Sequence, residues 1–343
     1  MKIGLVGYNC NTGLGEVNRQ IAKYGRVDKW LIKPHRKPLN QEIILGVEET
    51  YCPAYDTPKI REFVKSVDCL LFVETPYYDN LIEIAKEEKK RLVCIPMQEW
   101  FPTELGSWTN QLDLVICPNQ YSYDLFSSTF NCVKFPWPID LAKFRYVPRT
   151  LCNRFLFLNG NGGFKGRKGL ETLKESLRIW PEMPVIVRSQ VDTFLGSKYL
   201  LSGELSSNVE LYRDGDVLIC PHYTDGLALE PMEAAACGVP TIITDGDVWK
   251  DIPRLASIQA TKSQGRTNKI TNWYIVDPYD LVKVCKELQG TEIAQASQKV
   301  RLWAEQRQWC SSLSDLFYYL VTEGATDSSL NTNYFKSTKG YAK

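Results

Sequence analysis

Histidine is scarce in this sequence, with His35 and His222 the only two in 343 residues. Neither accompanies acidic residues at the spacing of a metal-binding motif, so a catalytic zinc or other His-built centre is not expected. No C-x-x-C pair occurs among the eleven cysteines, which excludes a zinc ribbon or a thioredoxin-type redox motif. No apolar run approaches the length of a membrane span. The opening MKIGLVGYN has no apolar h-region, so a signal peptide is not expected. Charge of either sign is not in excess: the formal net charge is +1. That balance excludes a strongly basic nucleic-acid binder and an acidic tail protein, and leaves room only for local patches. No internal repeat is shorter than half the chain.

What is present is an ordinary globular composition, 44% hydrophobic and 24% charged. A chain of 343 residues exceeds what one core usually serves, which predicts two domains. The cysteines sit inside apolar runs such as VDCLLFV, RLVCIP and AAACG, where a thiol behaves as a small buried hydrophobe. Their odd number and lack of metal spacing predict a reducing compartment, and hence a cytoplasmic location.

Short, wholly apolar runs alternate with amphipathic segments. Residues 2–7, 28–33, 68–74, 91–96 and 113–118 read as buried strands, and 15–25, 56–66 and 79–90 as helices. Such runs suit a parallel sheet covered on both faces, built from right-handed βαβ units. The pattern restarts after residue 150, with strands expected at 154–160, 184–190, 209–212, 216–221 and 240–245. Helices are expected from Lys168 to Trp180 and over 230–238. Three prolines in residues 134–150 mark the join. The expected domains are 1–145 and 146–305, with a helix at 306–324 and a disordered tail at 325–343.

Three motifs carry chemistry. Gly7, Gly13 and Gly15 flank the first strand-to-helix turn, where backbone N–H groups can approach an anion. A dinucleotide fingerprint would require a glycine where Asn18 stands, and an acid where Lys33 ends the second strand. The second loop, NGNGGFKGRKG, gathers Gly162, Gly163, Lys165, Arg167 and Lys168 before a helix. Cations there oppose the helix dipole, and a diphosphate would compensate both. The third stretch, residues 223–245, holds Asp225, Gly226 and Leu227 in a loop, then Glu230 and Glu233 on a helix. Its carboxylates can accept hydrogen bonds from sugar hydroxyls. Glu230 and Glu233, three apart, should share a helix face.

These motifs resemble glycosyltransferase family 4, of the glycosyl transferases group 1. That family has Glu, seven residues, Glu, then a small-residue helix and CGVPV. Here Asp225 takes the first position, Glu233 the second, and CGVPT follows. The Lys168-Gly169 pair fits the family's diphosphate loop, whereas Asn161 stands where its arginine usually lies, leaving Arg167 or Lys165 to supply that charge. NTGLGEVNRQIAK, FPWPIDLAKF and QWCSSLSDLFYYL are similar to its N-terminal glycine loop, its domain-closing signature and its last helix.

The resemblance implies an α/β fold of GT-B type: two Rossmann-like doubly wound domains facing a cleft, with the last helix returning to the N-terminal domain. It implies a retaining, metal-independent transfer from a nucleotide diphosphate sugar, with no resident cofactor. Lys168, Arg167 and Asp225 would be catalytic. Gly13, Gly15, Gly162, Gly163, Lys165, Arg188, Gly226, Leu227 and Glu233 would bind the donor, Glu233 at the ribose. A saccharide is the leading acceptor, with Glu99 and Trp100 as candidate contacts; a modified base in DNA is the alternative. Two other classes compete: a nicotinamide oxidoreductase, and a noncatalytic nucleotide-sugar binder.

Overall fold

The computed structural model describes the chain except residues 103–107, 161–165, 191, 194, 197, 201–204, 206–207, 266–269, 310–315, 317–318 and 321–343. The first half runs β1 (Ile3–Gly7), α1 (Gly13–Tyr24), β2 (Lys29–Ile32), β3 (Glu48–Tyr51), α2 (Thr57–Lys65) and β4 (Cys69–Val73). It continues with α3 (Leu81–Glu87), β5 (Arg91–Ile95), β6 (Leu114–Cys117), α4 (Gln120–Phe126) and β7 (Cys132–Lys134). These seven strands form one sheet in the order β3-β2-β1-β4-β5-β6-β7, and every pairing is parallel.

The second half opens with β8 (Phe155–Asn159), α5 (Leu170–Ile179), β9 (Val185–Ser189), β10 (Val217–Cys220), α6 (Leu229–Ala236), β11 (Thr241–Thr244) and β12 (Ala256–Ile258). Its parallel five-stranded sheet has the order β12-β11-β10-β8-β9. A small antiparallel pair, β13 (Ala260–Gln264) with β14 (Asn272–Val276), and the helices α7 (Pro278–Leu288) and α8 (Ala294–Glu305) complete it.

The central strands form where the sequence is apolar without interruption. Every residue of β1, β4 and β8 is buried, as a sheet covered on both faces requires. Each sheet also has a point where strand order reverses, between β1 and β4 in the first and between β8 and β10 in the second. Doubly wound sheets bind ligands in the crevice outside such a point, at the carboxyl ends of the strands. Both glycine-rich loops leave from there.

Residues 209–212, expected as a strand, lie instead in a 3-10 helix, Asn208–Tyr212. Tyr212 turns inward there, and its carbonyl accepts from the buried Arg149 guanidinium at 2.8 Å. A four-residue window has no period long enough to separate the two conformations. The edge strands β3 and β7 and the strand β13 went unanticipated for a related reason: all are partly exposed and carry no continuous apolar run, whereas β14 does carry one, in NWYIV, and was not anticipated.

After α8 the chain contacts the first half. Trp309 stacks on Tyr24 with centroids 5.3 Å apart, and its indole N–H donates to Gln20 Oε1 at 3.0 Å. Ile139 N donates to Arg307 O at 2.6 Å. Most of the helix expected at 306–324, and the tail at 325–343, lie outside the described residues.

One glycine sets how closely α5 approaches the site. Gly169 precedes the helix at φ +74°, and a Cβ there would lie 1.9 Å from Pro221 O. Gly169→Ala should lower unfolding free energy by about 1–3 kcal/mol, the scale of one strained residue. Urea denaturation reads this directly; unchanged stability would mean that α5 does not sit against the end of β10 in this way.

Candidate active site

The loop after β1 is tightly built. Thr12 caps α1 by accepting from Gly15 N at 3.2 Å, and a Cβ on Gly15 would lie 2.0 Å from Cys10 O. Gly13 is exposed at the helix N-terminus, facing Leu229 of α6. Asn18 is fully buried against Gly7 and donates to Tyr8 O at 3.0 Å. The residue that breaks a dinucleotide fingerprint therefore fixes this turn. Lys33 likewise donates to Tyr77 O.

Opposite this loop, the turn between β10 and α6 holds a compact charge cluster. Lys168 Nζ donates to Asp225 Oδ2 at 2.8 Å and to Glu230 Oε2 at 2.9 Å. His222 lies between the same oxygens, with Nδ1 3.2 Å from Asp225 and Nε2 3.3 Å from Glu230. The expectation that no histidine accompanies the acids is thus corrected. His222 lies two residues beyond the end of β10, and a turn rather than a helix brings it to them, so helical ligand spacing could not reveal it. His222, Asp225 and Glu230 offer ligand atoms within 4.8 Å of one another, with the Lys168 ammonium already bonded to both carboxylates.

The cluster's charge states follow from burial and pairing. Burial alone would lower the Lys168 pKa, but the Asp225 and Glu230 carboxylates outweigh it and hold the ammonium above its ordinary value. Burial opposes ionisation of Asp225, yet Lys168, His222 and Arg167 pull its pKa well below the usual range. Burial and the Lys168 charge push His222 down, so its imidazole is neutral at pH 7.

Arg167 reaches across to the first half and pairs with Glu99, which is 3% exposed. Burial raises the Glu99 pKa despite that partner. The neighbouring Gln98 amide donates to the carbonyls of Asp225 and Gly226, and Asn119 Nδ2 donates to Gly226 O at 3.0 Å. Gly226 fits there because a Cβ would lie 2.7 Å from Glu99 Oε2. Glu99, expected at the acceptor, is therefore engaged in joining the two halves. Trp100 is partly buried against the larger core, and Leu227 is buried within that core.

Glu233 has a different partner from Glu230, although the two are three residues apart on α6. Tyr212 donates its hydroxyl to Glu233 Oε2 at 2.6 Å. Burial raises the Glu233 carboxyl to about 8, with Glu16 adding and Tyr212 and Lys143 opposing. Glu16, at the start of α1, is itself held by Arg19 at 2.8 Å and Lys143 at 2.7 Å. Arg188 is committed to Asp214 at 2.7 Å. Gly162, Gly163 and Lys165 lie outside the described residues.

Sequence reasoning missed Glu74 and Tyr8. Glu74 follows β4 at φ +75°, and burial lifts its carboxyl to about 8, with Glu99 adding and Arg167 offsetting. The positive φ of a non-glycine residue is not legible in sequence.

Two parallel sheets meeting through the loops at their carboxyl edges make this a GT-B fold. Residues 192–257 match the family described as Glycosyl transferases group 1. The structure is similar to HepE from Anabaena, solved in complex with UDP, at 14% identity and a TM-score of 0.66. That alignment covers 93% of this chain and 99% of HepE. It is similar also to the lipopolysaccharide outer core galactosyltransferase WaaB, at 11% identity and a TM-score of 0.61, covering 93% of this chain and 99% of WaaB. Sucrose-phosphate synthase from Thermosynechococcus elongatus aligns at 13% identity and 0.59, covering 92% of this chain and 95% of that one. No curated protein matches the sequence.

Proposed function

We propose that this chain is a retaining glycosyltransferase that moves a sugar from a nucleotide diphosphate sugar to a hydroxyl of a saccharide acceptor. The observation that carries the reading is the set of buried Lys168, Asp225 and His222 with half-buried Glu230, joined by the Arg167–Glu99 pair where the two sheet edges meet. The match over residues 192–257 and the fold shared with enzymes that handle UDP support it.

In this reading the donor diphosphate competes with Glu230 and Glu99 for Lys168 and Arg167. The N-terminus of α1, where Gly13 and Gly15 allow close approach, adds its dipole and N–H groups. Glu233 receives the ribose hydroxyls and Asp225 a hydroxyl of the donor sugar. As the glycosidic bond breaks, negative charge grows on the leaving diphosphate, and fixed cations then contribute most. The acceptor hydroxyl attacks the face the diphosphate leaves, and its proton passes to that group. No side-chain nucleophile takes part.

Metal independence is supported by Lys168, which compensates both carboxylates without an added ion. A nicotinamide reading is disfavoured by the structural tasks of Asn18 and Lys33. The ten described cysteines are all free thiols, which fits a reducing, cytoplasmic setting. No helix among the described residues is long and apolar enough to cross a membrane.

UDP or GDP should raise the melting temperature in the presence of EDTA. At 100-fold its dissociation constant a ligand contributes about 2.7 kcal/mol. Stabilisation that needs added manganese or magnesium would contradict a metal-independent site.

A further inference from the structure

The carboxyl edge of β1 and β4 carries an aromatic and acidic surface that the donor chemistry does not use. Tyr8 and Glu74 each lie two residues beyond Val6 and Phe72, the last registered pair of these neighbouring strands. The Tyr8 ring is partly exposed and meets His35 and Tyr77 edge-on, each with centroids 4.8 Å away. Glu74 and Tyr77 both stand at positive φ, +75° and +66°, a region disfavoured for side chains with a Cβ. Such outliers persist where surrounding contacts impose them, and they gather at binding sites.

Here the imposing contacts are identifiable. Glu74 N donates to Ile95 O at 2.9 Å, Lys33 donates to Tyr77 O, and Asn18 donates to Tyr8 O. The Tyr77 hydroxyl and Asn18 Oδ1 are buried without a hydrogen bond of ordinary geometry, although the two residues lie close together. Glu74 is near enough to Arg167 and Glu99 to feel both charges. The surface therefore borders Arg167, one of the two cations assigned to the leaving diphosphate.

We propose that this edge is the acceptor-sugar subsite, with the Tyr8 ring as its platform and the Glu74 carboxyl as the group that hydrogen-bonds an acceptor hydroxyl. The inference rests on the transfer reading above and moves the acceptor from Glu99 and Trp100 to Tyr8 and Glu74. An aromatic face beside one carboxyl group suits a pyranose, which presents an apolar ring face and a rim of hydroxyls. Burial, with Glu99 adding, lifts the Glu74 carboxyl to about 8, and a carboxyl group offers oxygens that accept from a sugar hydroxyl.

The test uses the full chain, a nucleotide hexose that it turns over, and a panel of methyl hexosides and methyl N-acetylhexosaminides, with release of the nucleoside diphosphate as the readout. At least one glycoside should stimulate release. Tyr8→Ala and Glu74→Gln should each raise the KM for that glycoside by about 10-fold or more, while Tyr8→Phe, which keeps the platform, should not. The thermal shift given by UDP alone should be the same in all three variants, which also establishes that they fold. An unchanged glycoside KM in Tyr8→Ala and Glu74→Gln would overturn the subsite. Stimulation by a single-stranded oligonucleotide but by no glycoside would overturn its saccharide chemistry. Absence of a shift with both UDP and GDP in the wild-type protein would overturn the transfer reading itself.

Discussion

Lys168→Ala should lower turnover by about 100-fold or more, the scale of one preorganised electrostatic stabiliser. The KM for donor should rise by less than turnover falls, because the cation matters most once charge has built on the diphosphate. The same change should cost stability. Lys168 is 6% exposed and bonded to two carboxylates, and removing one partner of a buried ion pair costs about 3–5 kcal/mol. The pair's pH limits follow from its shifts. Lys168 is raised, so its contribution is complete below the ordinary lysine value of 10.5 and is lost as pH climbs through the folded value. Asp225 is depressed, so its contribution is present above the ordinary value of 3.8 and is lost as pH falls through the folded one. The cluster is therefore intact across the neutral range. Steady-state kinetics on Lys168→Ala and Lys168→Gln, at a temperature where circular dichroism shows both folded, check the prediction. Near-normal turnover would transfer the phosphate role to Arg167, since Arg188 is tied to Asp214.

Glu233→Ala should weaken nucleotide binding by roughly 1.5–3 kcal/mol, the loss of a hydrogen bond to a charged group. The pH dependence makes the role specific. The Glu233 carboxyl is raised from 4.5 to about 8, so its contribution to stability is complete below about 4.5 and is lost as pH rises through about 8. Ribose hydroxyls favour the ionised form. Nucleotide affinity should therefore rise between pH 6 and pH 8, with a proton released on binding. Glu233→Gln should lose that component while becoming more stable than the wild-type protein at pH 8. Calorimetric titration in buffers of different ionisation enthalpy separates this proton from the nucleotide's own phosphate. Identical pH profiles in Glu233→Gln and the wild-type protein would remove Glu233 from the ribose.

The elements legible in the sequence were those whose physics is local. The runs CLLFV in β4 and VLIC in β10 are wholly buried, and no other environment suits them. By contrast EETY in β3 is an edge strand, held by its register with β2 rather than by its own composition. The site divides in the same way. Lys168 and Asp225 were readable from a glycine-rich loop and an acidic turn. Their partnership spans 57 residues, and Gly169 beside Lys168 is what lets the start of α5 approach Pro221 so closely. Glu99 and Arg167, 68 residues apart, were each assigned to the cleft, but nothing local reveals that they neutralise one another. Spacing along a helix does not reveal His222, because its acidic neighbours are brought to it by a turn. Glu74 escaped notice because its distinguishing features, a left-handed backbone and a raised carboxyl, are consequences of packing.

The anomeric configuration of the sugar released from a nucleotide hexose tests the central claim most directly. Proton NMR, started at once on mixing with the wild-type protein in EDTA, reads the first-formed anomer before mutarotation. From an α-linked donor the account predicts that the α-sugar appears first, and that Lys168→Ala suppresses its appearance. First appearance of the β-sugar would contradict retention, and no release from any nucleotide hexose that binds, with or without an acceptor glycoside, would contradict catalysis.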